Sequence, residues 1–249
     1  MLDSSTVRWL RFLLLASFPA FFAVHAAAAP VDRATFEIRV RGHVVGREAM
    51  NVDAAGDSLA ITSSTTQLLG PVGADSLIKQ LAMSVDSYDL NLRNYASAQR
   101  FRGHFVTRGL SLHDTVFTSY RDQDGRGTGD TFARPPGQLF VIDPGTFASF
   151  DLVCRMLRGR AFEKRSINLV VLGPSDTVLA TPLVDQGSRA LKQGKRTVMA
   201  RHLTLGEEPG AYHLWMGRDG HLLRLEQEPS GLHVERVLSA PRRRVARAT

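Results

Sequence analysis

Residues 211–237 read A-Y-H-L-W-M-G-R-D-G-H-L-L-R-L-E-Q-E-P-S-G-L-H-V-E-R-V, and they constrain the fold more than any other stretch. Apolar and polar residues alternate on both sides of Asp219-Gly220, which marks a β-hairpin. Asp-Gly suits a two-residue type I′ turn, where both central residues need positive φ. That turn predicts Arg218 opposite His221, Met216 opposite Leu223 and Leu214 opposite Leu225. One face then holds Leu214, Met216, Leu223 and Leu225. The other sets His213 against Glu226 and Trp215 against Arg224, and it predicts cation–π packing between that tryptophan and arginine. Pro229-Ser230-Gly231 turns the chain again, and Leu232 and Val234 continue a third antiparallel strand.

The same plan recurs upstream. Residues 34–41 alternate, with Phe36, Ile38 and Val40 on one side, and Gly42-His43 opens a turn. Residues 44–52 return, and Gly46 within them marks a bulge or a close backbone approach. Residues 53–57 turn into a strand over 58–64. Residues 74–81 read as a short helix with Leu77, Ile78 and Leu81 inward, after a break at Gly70-Pro71-Val72-Gly73. Further strands are expected over 83–92, and over 100–108 and 111–120 joined at Gly109. Residues 125–137 are rich in glycine and proline and read as an exposed loop.

Residues 138–142 form a short apolar strand. Asp143-Pro144-Gly145 then supplies an N-cap followed by proline at the first helical position. Phe147, Phe150, Val153, Cys154 and Leu157 follow at helical spacing, and Gly159 stops the run. A helix over 144–158 is therefore expected. Strands over 166–172, 177–183 and 196–205 complete the pattern, with 185–195 as a polar loop. Val198, Ala200 and His202 share one face of the strand over 196–205. Antiparallel strands with one apolar face need a cover, and this helix is the natural one. The expected class is mainly β: a curved antiparallel sheet or incomplete barrel covered by one central α-helix, with a closed barrel as the alternative.

The N-terminus reads as an export signal. Arg8 and Arg11 precede an apolar run over 12–26, and the alanines at 26–29 offer a cleavage site. The run is about 15 residues, against the roughly 20 needed to span a bilayer. A cleaved leader over 1–28 is expected, and an uncleaved anchor is its alternative. Residues 29–240 then form a single domain, and 241–249 form a basic disordered tail, P-R-R-R-V-A-R-A-T. These features predict a periplasmic or secreted protein with no transmembrane span after cleavage. Cys154 is the one cysteine, so no internal disulfide can form. The net charge of +7 does not by itself imply nucleic acid in an exported chain.

Three stretches resemble a family of uncharacterised exported bacterial proteins. They are F-E-I-R-V-R-G-H-V-V-G-R-E at 36–48, L-F-V-I-D-P-G-T-F-A-S-F-D-L-V at 139–153, and L-W-M-G-R-D-G-H-L-L-R-L-E at 214–226. The resemblance implies a periplasmic half-barrel of unknown function, similar in shape to the lipoprotein carriers that hold acyl chains. It brings no functional residues with it.

Catalytic signatures are missing. There is no G-x-S-x-G, no glycine-rich phosphate loop and no H-E-x-x-H. Glu37, Glu48, Asp114 and Glu226 could serve as general acids, but spacing does not pair them. Asp122, Asp124 and Gly125 fit calcium-loop positions, yet Tyr120 and Thr131 then fall where acidic ligands are needed. No enzyme activity, cofactor or metal is expected. Phe147, Phe150, Met156, Tyr212, Leu214 and Met216 are the candidate lining of an apolar pocket between helix and sheet, and an ordinary packed core is the competing reading. A cavity of about 300 Å³ beneath the helix would distinguish the two. The functional expectation is an exported, non-enzymatic protein holding a lipid or apolar small molecule. The alternative is an envelope structural or assembly factor that binds a protein partner through a sheet edge or basic surface.

Overall fold

The computed structural model describes residues 30–69 and 75–237. The expected leader, the break at 70–73 and the basic tail lie outside them. One sheet dominates. Its first strands are β1 (Pro30–Val40), β2 (His43–Ala55), β3 (Ser58–Leu69), β4 (Asp75–Asp86), β5 (Leu92–Phe101), β6 (His104–Leu112), β7 (Val116–Gln123) and β8 (Arg126–Ala133). After β9 (Leu139–Ile142) comes the helix α1 (Ala148–Met156). The chain then runs through β10 (Lys164–Val171), β11 (Thr177–Gln193), β12 (Arg196–Leu205), β13 (Tyr212–Met216), β14 (Leu222–Gln227) and β15 (Leu232–Arg236). The spatial order is β8-β7-β6-β5-β4-β3-β2-β1-β15-β14-β13-β12-β11-β10-β9. Every pairing is antiparallel except β9 with β10. The sheet curls without closing, as the alternation predicts.

The opening and closing meanders are neighbours. Ile38 on β1 pairs with Val234 on β15, and Phe36 with Arg236. Phe36, Ile38, Met50, Val52, Leu225 and Val234 therefore form a continuous inner face of fully buried side chains. Such burial is worth roughly 2–3 kcal/mol for each large apolar side chain.

Turn chemistry corrects the first hairpin register. Gly220 alone has positive φ, at 86°. Its N–H bonds Gly217 O at 3.0 Å, and Gly217 N–H bonds His221 O at 2.9 Å. The loop is thus Arg218-Asp219-Gly220, a turn with a left-handed glycine and a bulge. Leu214↔Leu225, Trp215↔Arg224 and His213↔Glu226 stand as expected, but Met216 faces Leu222 instead of Leu223. Leu222 is buried and Leu223 is half-exposed. Two-residue turns with positive φ at both positions occur elsewhere, at Arg41-Gly42, Arg102-Gly103 and Asp124-Gly125.

Several expected elements change type. Residues 75–81, within the expected helix over 74–81, belong to strand β4, whose inward row is Leu77, Lys79, Leu81, Met83 and Val85. The lysine in that row hides the alternation, and Ile78 points outward at 43% exposure. The strand expected over 83–92 is the end of β4, a turn and the start of β5. Gly109 lies inside β6 and joins no strands, because the turn falls at Arg102-Gly103. Most of 125–137 is the edge strand β8, held by pairing with β7 while its residues stay largely exposed. Residues 185–193 extend β11, exposed over 186–190 but with Leu191 and Gln193 buried, and Gln193 Nε2 donates to Arg236 O at 2.8 Å.

The helix is shorter than 144–158, and Asp143 does not cap it. Thr146 N–H bonds Asp143 O at 3.1 Å, and Gly145 adopts φ 87°, so 143–146 is a turn. The helix N-terminus is satisfied by Glu48 of β2, which accepts Phe147 N–H at 2.6 Å and Ala148 N–H at 3.3 Å. Every residue of α1 but Arg155 is buried. The helix is an internal core element inside the concave sheet.

Candidate functional site

The six side chains proposed as a pocket lining do come together around α1. Phe147, Phe150, Met156, Leu214 and Met216 are buried, and Tyr212 is half-buried. Phe150 packs on Phe147 at 6.4 Å and on Tyr212 at 4.8 Å between ring centroids. Between the helix and β2–β3, the hollow lined by Met50, Val52, Ile61 and Leu152 has a volume near 0 Å³. A second hollow, at Ser119, Arg121 and Asp176, holds about 20 Å³, less than one water's share of liquid.

The chemistry of the interior is polar, in two clusters that bracket the helix. The first centres on Asp143, placed by the end of β9 against the inner faces of β4 and β5. Its Oδ1 accepts from Lys79 Nζ, and its Oδ2 accepts from Tyr95 OH and, at 2.9 Å, from Ser97 Oγ. Lys79 also donates to Pro144 O at 2.9 Å, and Gln67 Nε2 donates to Gly145 O at 3.1 Å. Lys79 and Asp143 are each 2% exposed. Burial pulls the Lys79 amine below its ordinary value, and Asp143 only partly offsets this. Burial together with Asp143 pushes the Tyr95 hydroxyl well up, so it stays a donor. Glu48 is wholly buried, and burial pushes its carboxyl up to about 7 against the Phe147 and Ala148 N–H donors.

The second cluster lies along the other side of α1. Arg155 pairs with Asp151 at 2.6 Å and with Asp32 of β1. Arg236 of β15 pairs with Asp32 at 2.8 Å and Asp151 at 3.2 Å. Burial works to raise the Asp32 carboxyl, but Arg236 and Arg155 outweigh it and hold it below the usual range. Asp151 Oδ1 also accepts Leu222 N–H at 2.9 Å, which ties the helix to the closing hairpin. His221 Nδ1 stands 3.6 Å from Asp32 and 4.0 Å from Asp151. The ligand atoms of these three residues lie within 4.8 Å of one another, a spacing that could hold a cation. Two guanidinium groups already neutralise both carboxylates, and a metal would have to displace them. The donor set therefore fits an ion-pair lock and does not fit a metal centre.

On the outer face, Trp215 stacks on His202 with centroids 4.3 Å apart and 9° between planes. Arg224 instead donates to Lys192 O and approaches Glu235 at 3.4 Å. The expected Trp215–Arg224 cation–π pair is thus replaced by histidine stacking. His202 does share its face with Ala200, as the alternation predicts. Cys154 is buried, and burial pushes its thiol well up. Asp122 and Asp124 serve the β7–β8 turn, bonding Gly125 N–H at 2.9 Å and Phe105 N–H at 2.8 Å.

Lys79, Asp143, Asp32, Asp151, Arg155 and Arg236 were missed as a polar framework. The available signal was a charged residue at an inward position of an alternating strand, as with Lys79 between Leu77 and Leu81, or Glu48 two places before Met50.

Comparison with known proteins adds the fold alone. The sequence matches no family model and no curated protein. Among solved structures, the chain is similar to a β-barrel-like protein of the domain of unknown function DUF1849 from Brucella abortus. The TM-score is 0.53 at 10% identity, over 83% of this chain and 95% of that one. The chain thus has an uncharacterised, β-barrel-like architecture, and at this identity nothing passes from the neighbour but its shape.

Proposed function

We propose that the chain is an exported, non-enzymatic structural or assembly factor of the bacterial envelope that binds a protein partner. The leader-like N-terminus and the resemblance read from the sequence support export. The observation that carries the reading is the filled interior: α1 occupies the concave side with a volume near 0 Å³ between it and β2–β3. A carrier of acyl chains needs several hundred Å³ there. With the inside occupied, the outer surface and the strand edge are left for recognition. β8 ends the sheet order and pairs with β7 alone among the described residues. Its residues are exposed from Arg126 to Thr131, so an extended segment of a partner can add to it by main-chain hydrogen bonds.

The test is native mass spectrometry of the protein purified gently from its own envelope. The reading expects a lipid-free chain in a complex of fixed stoichiometry, with the association lost in Thr131→Pro. The Gln123–Arg126 pair closes the hairpin, so the Thr131 N–H faces the open edge and proline there spares the β7 ladder. A stoichiometric lipid on the chain would overturn the reading in favour of the apolar-ligand carrier.

A further inference from the structure

The two ends of the sheet, β8 and β9, are not joined by backbone pairing. The single cysteine leaves the chain without a disulfide to hold the curl. Yet Asp143, the residue after β9, reaches across the interior to Lys79 of β4, 64 residues away in sequence. A buried ion pair at this place is costly, because both charges lose their water. Amine and carboxylate are in direct hydrogen-bond contact, and both are sealed from solvent.

We propose that Lys79 Nζ and Asp143 Cγ condense to a side-chain amide, which covalently ties β4 to the end of β9. The proton passes from Nζ to Oδ1 along their hydrogen bond, leaving a neutral amine beside a carboxylic acid. Burial favours this transfer, since it already pulls the Lys79 amine below its ordinary value. The nitrogen lone pair attacks Cγ, and negative charge develops on Oδ2. Tyr95 OH and Ser97 Oγ donate to that oxygen, as an oxyanion site requires. The second nitrogen proton moves to the Oδ1 hydroxyl, the Cγ–Oδ1 bond breaks and water leaves. One amide and one water are formed, with no oxidant or co-reactant. Fixed proximity replaces a bimolecular encounter, and a dry interior slows the reverse hydrolysis. Glu48 stands in the same cross-strand row, Glu48↔Thr65↔Lys79. Thr65 Oγ1, between them, has no hydrogen-bond partner. With its carboxyl near 7, Glu48 can exchange a proton at neutral pH.

The amide does not depend on the envelope reading, and one experiment isolates it. The intact mass of the folded, full chain is measured with its N-terminus sequenced in the same sample, followed by a tryptic peptide map. The expected result is a chain lighter than its sequence by one water, with a branched peptide joining the Lys79 and Asp143 segments. Asp124-Gly125 and Asp219-Gly220 can also lose water as cyclic imides, so the branched peptide decides. Lys79→Arg keeps the cation but supplies no amine, and it should show no branched peptide. The wild-type map stands whether or not that variant folds. Full mass, or loss of water with Lys79 and Asp143 recovered in separate linear peptides, overturns the proposal. So does a branched peptide that survives in Lys79→Arg.

Discussion

Glu48 sets the pH response of the fold. Its carboxyl lies near 7 in the folded chain, against an ordinary value of 4.5, because burial outweighs the Phe147 and Ala148 N–H donors and the Lys79 charge. The folded state therefore holds the proton more tightly than the unfolded state. The stabilisation is complete below pH 4.5 and disappears as pH rises through about 7. The span between the two values is worth roughly 3 kcal/mol. Urea midpoints from pH 5 to pH 8 should fall by that order for the wild type, and Glu48→Gln should flatten this component. Gly46 is a steric requirement: a Cβ there would lie 2.3 Å from Thr66 O and 2.9 Å from Gln67 Cα. Gly46→Ala should destabilise the fold by roughly 1–3 kcal/mol in urea unfolding, because backbone and not a flexible side chain must move. The sequence marks this position as a bulge or a close approach, and both occur: the β1–β2 register shifts between Ile38 and Arg39, where Ile38 faces Gly46. Alternation with Met50 marks Glu48 as inward, but its role as a helix cap about a hundred residues downstream leaves no local pattern.

At the scale of elements, the alternating strands were legible wherever one face is buried and the other is wet. β1, β13 and β15 follow that rule. Legibility failed where it breaks. Lys79 interrupts the inward row of β4 and lends the segment a helical look. β8 and the outer part of β11 are exposed on most of their length, so composition alone marks them as loops. The helix was placed correctly but extended too far, because Asp143-Pro144-Gly145 has the residues of a cap and the geometry of a turn. Its real anchors come from the sheet. Asp151 is 1% exposed and takes hydrogen bonds from Arg155, Arg236 and the Leu222 backbone. Asp151→Ala leaves two guanidinium groups without a full counter-charge, and denaturant titration should register a loss of about 3–5 kcal/mol. Gly220 adopts φ 86°, with the Arg158 side chain 2.9 Å from a built Cβ. Gly220→Ala should cost roughly 1–2 kcal/mol by straining the closing hairpin, and thermal unfolding measures it.

The whole molecule is a single curled sheet wound around a helix that is held from both sides. Glu48, Gln67, Lys79, Tyr95 and Ser97 grip the turn and the helix N-terminus, while Asp32, Arg236 and Leu222 hold the far side through Asp151 and Arg155. These polar anchors make the helix part of the core. The likeness to a β-barrel-like protein of 10% identity fits a shape that depends on alternation and polar anchoring more than on particular apolar residues. Hydrogen exchange of the α1 backbone amides, beginning with Phe147 and Ala148, tests the central claim that this helix is a locked core element. Amides of a locked helix exchange only through global unfolding, at the rate of the inner strands β1 and β2. Exchange of α1 well ahead of those strands, as a lid over a ligand site would show, contradicts it.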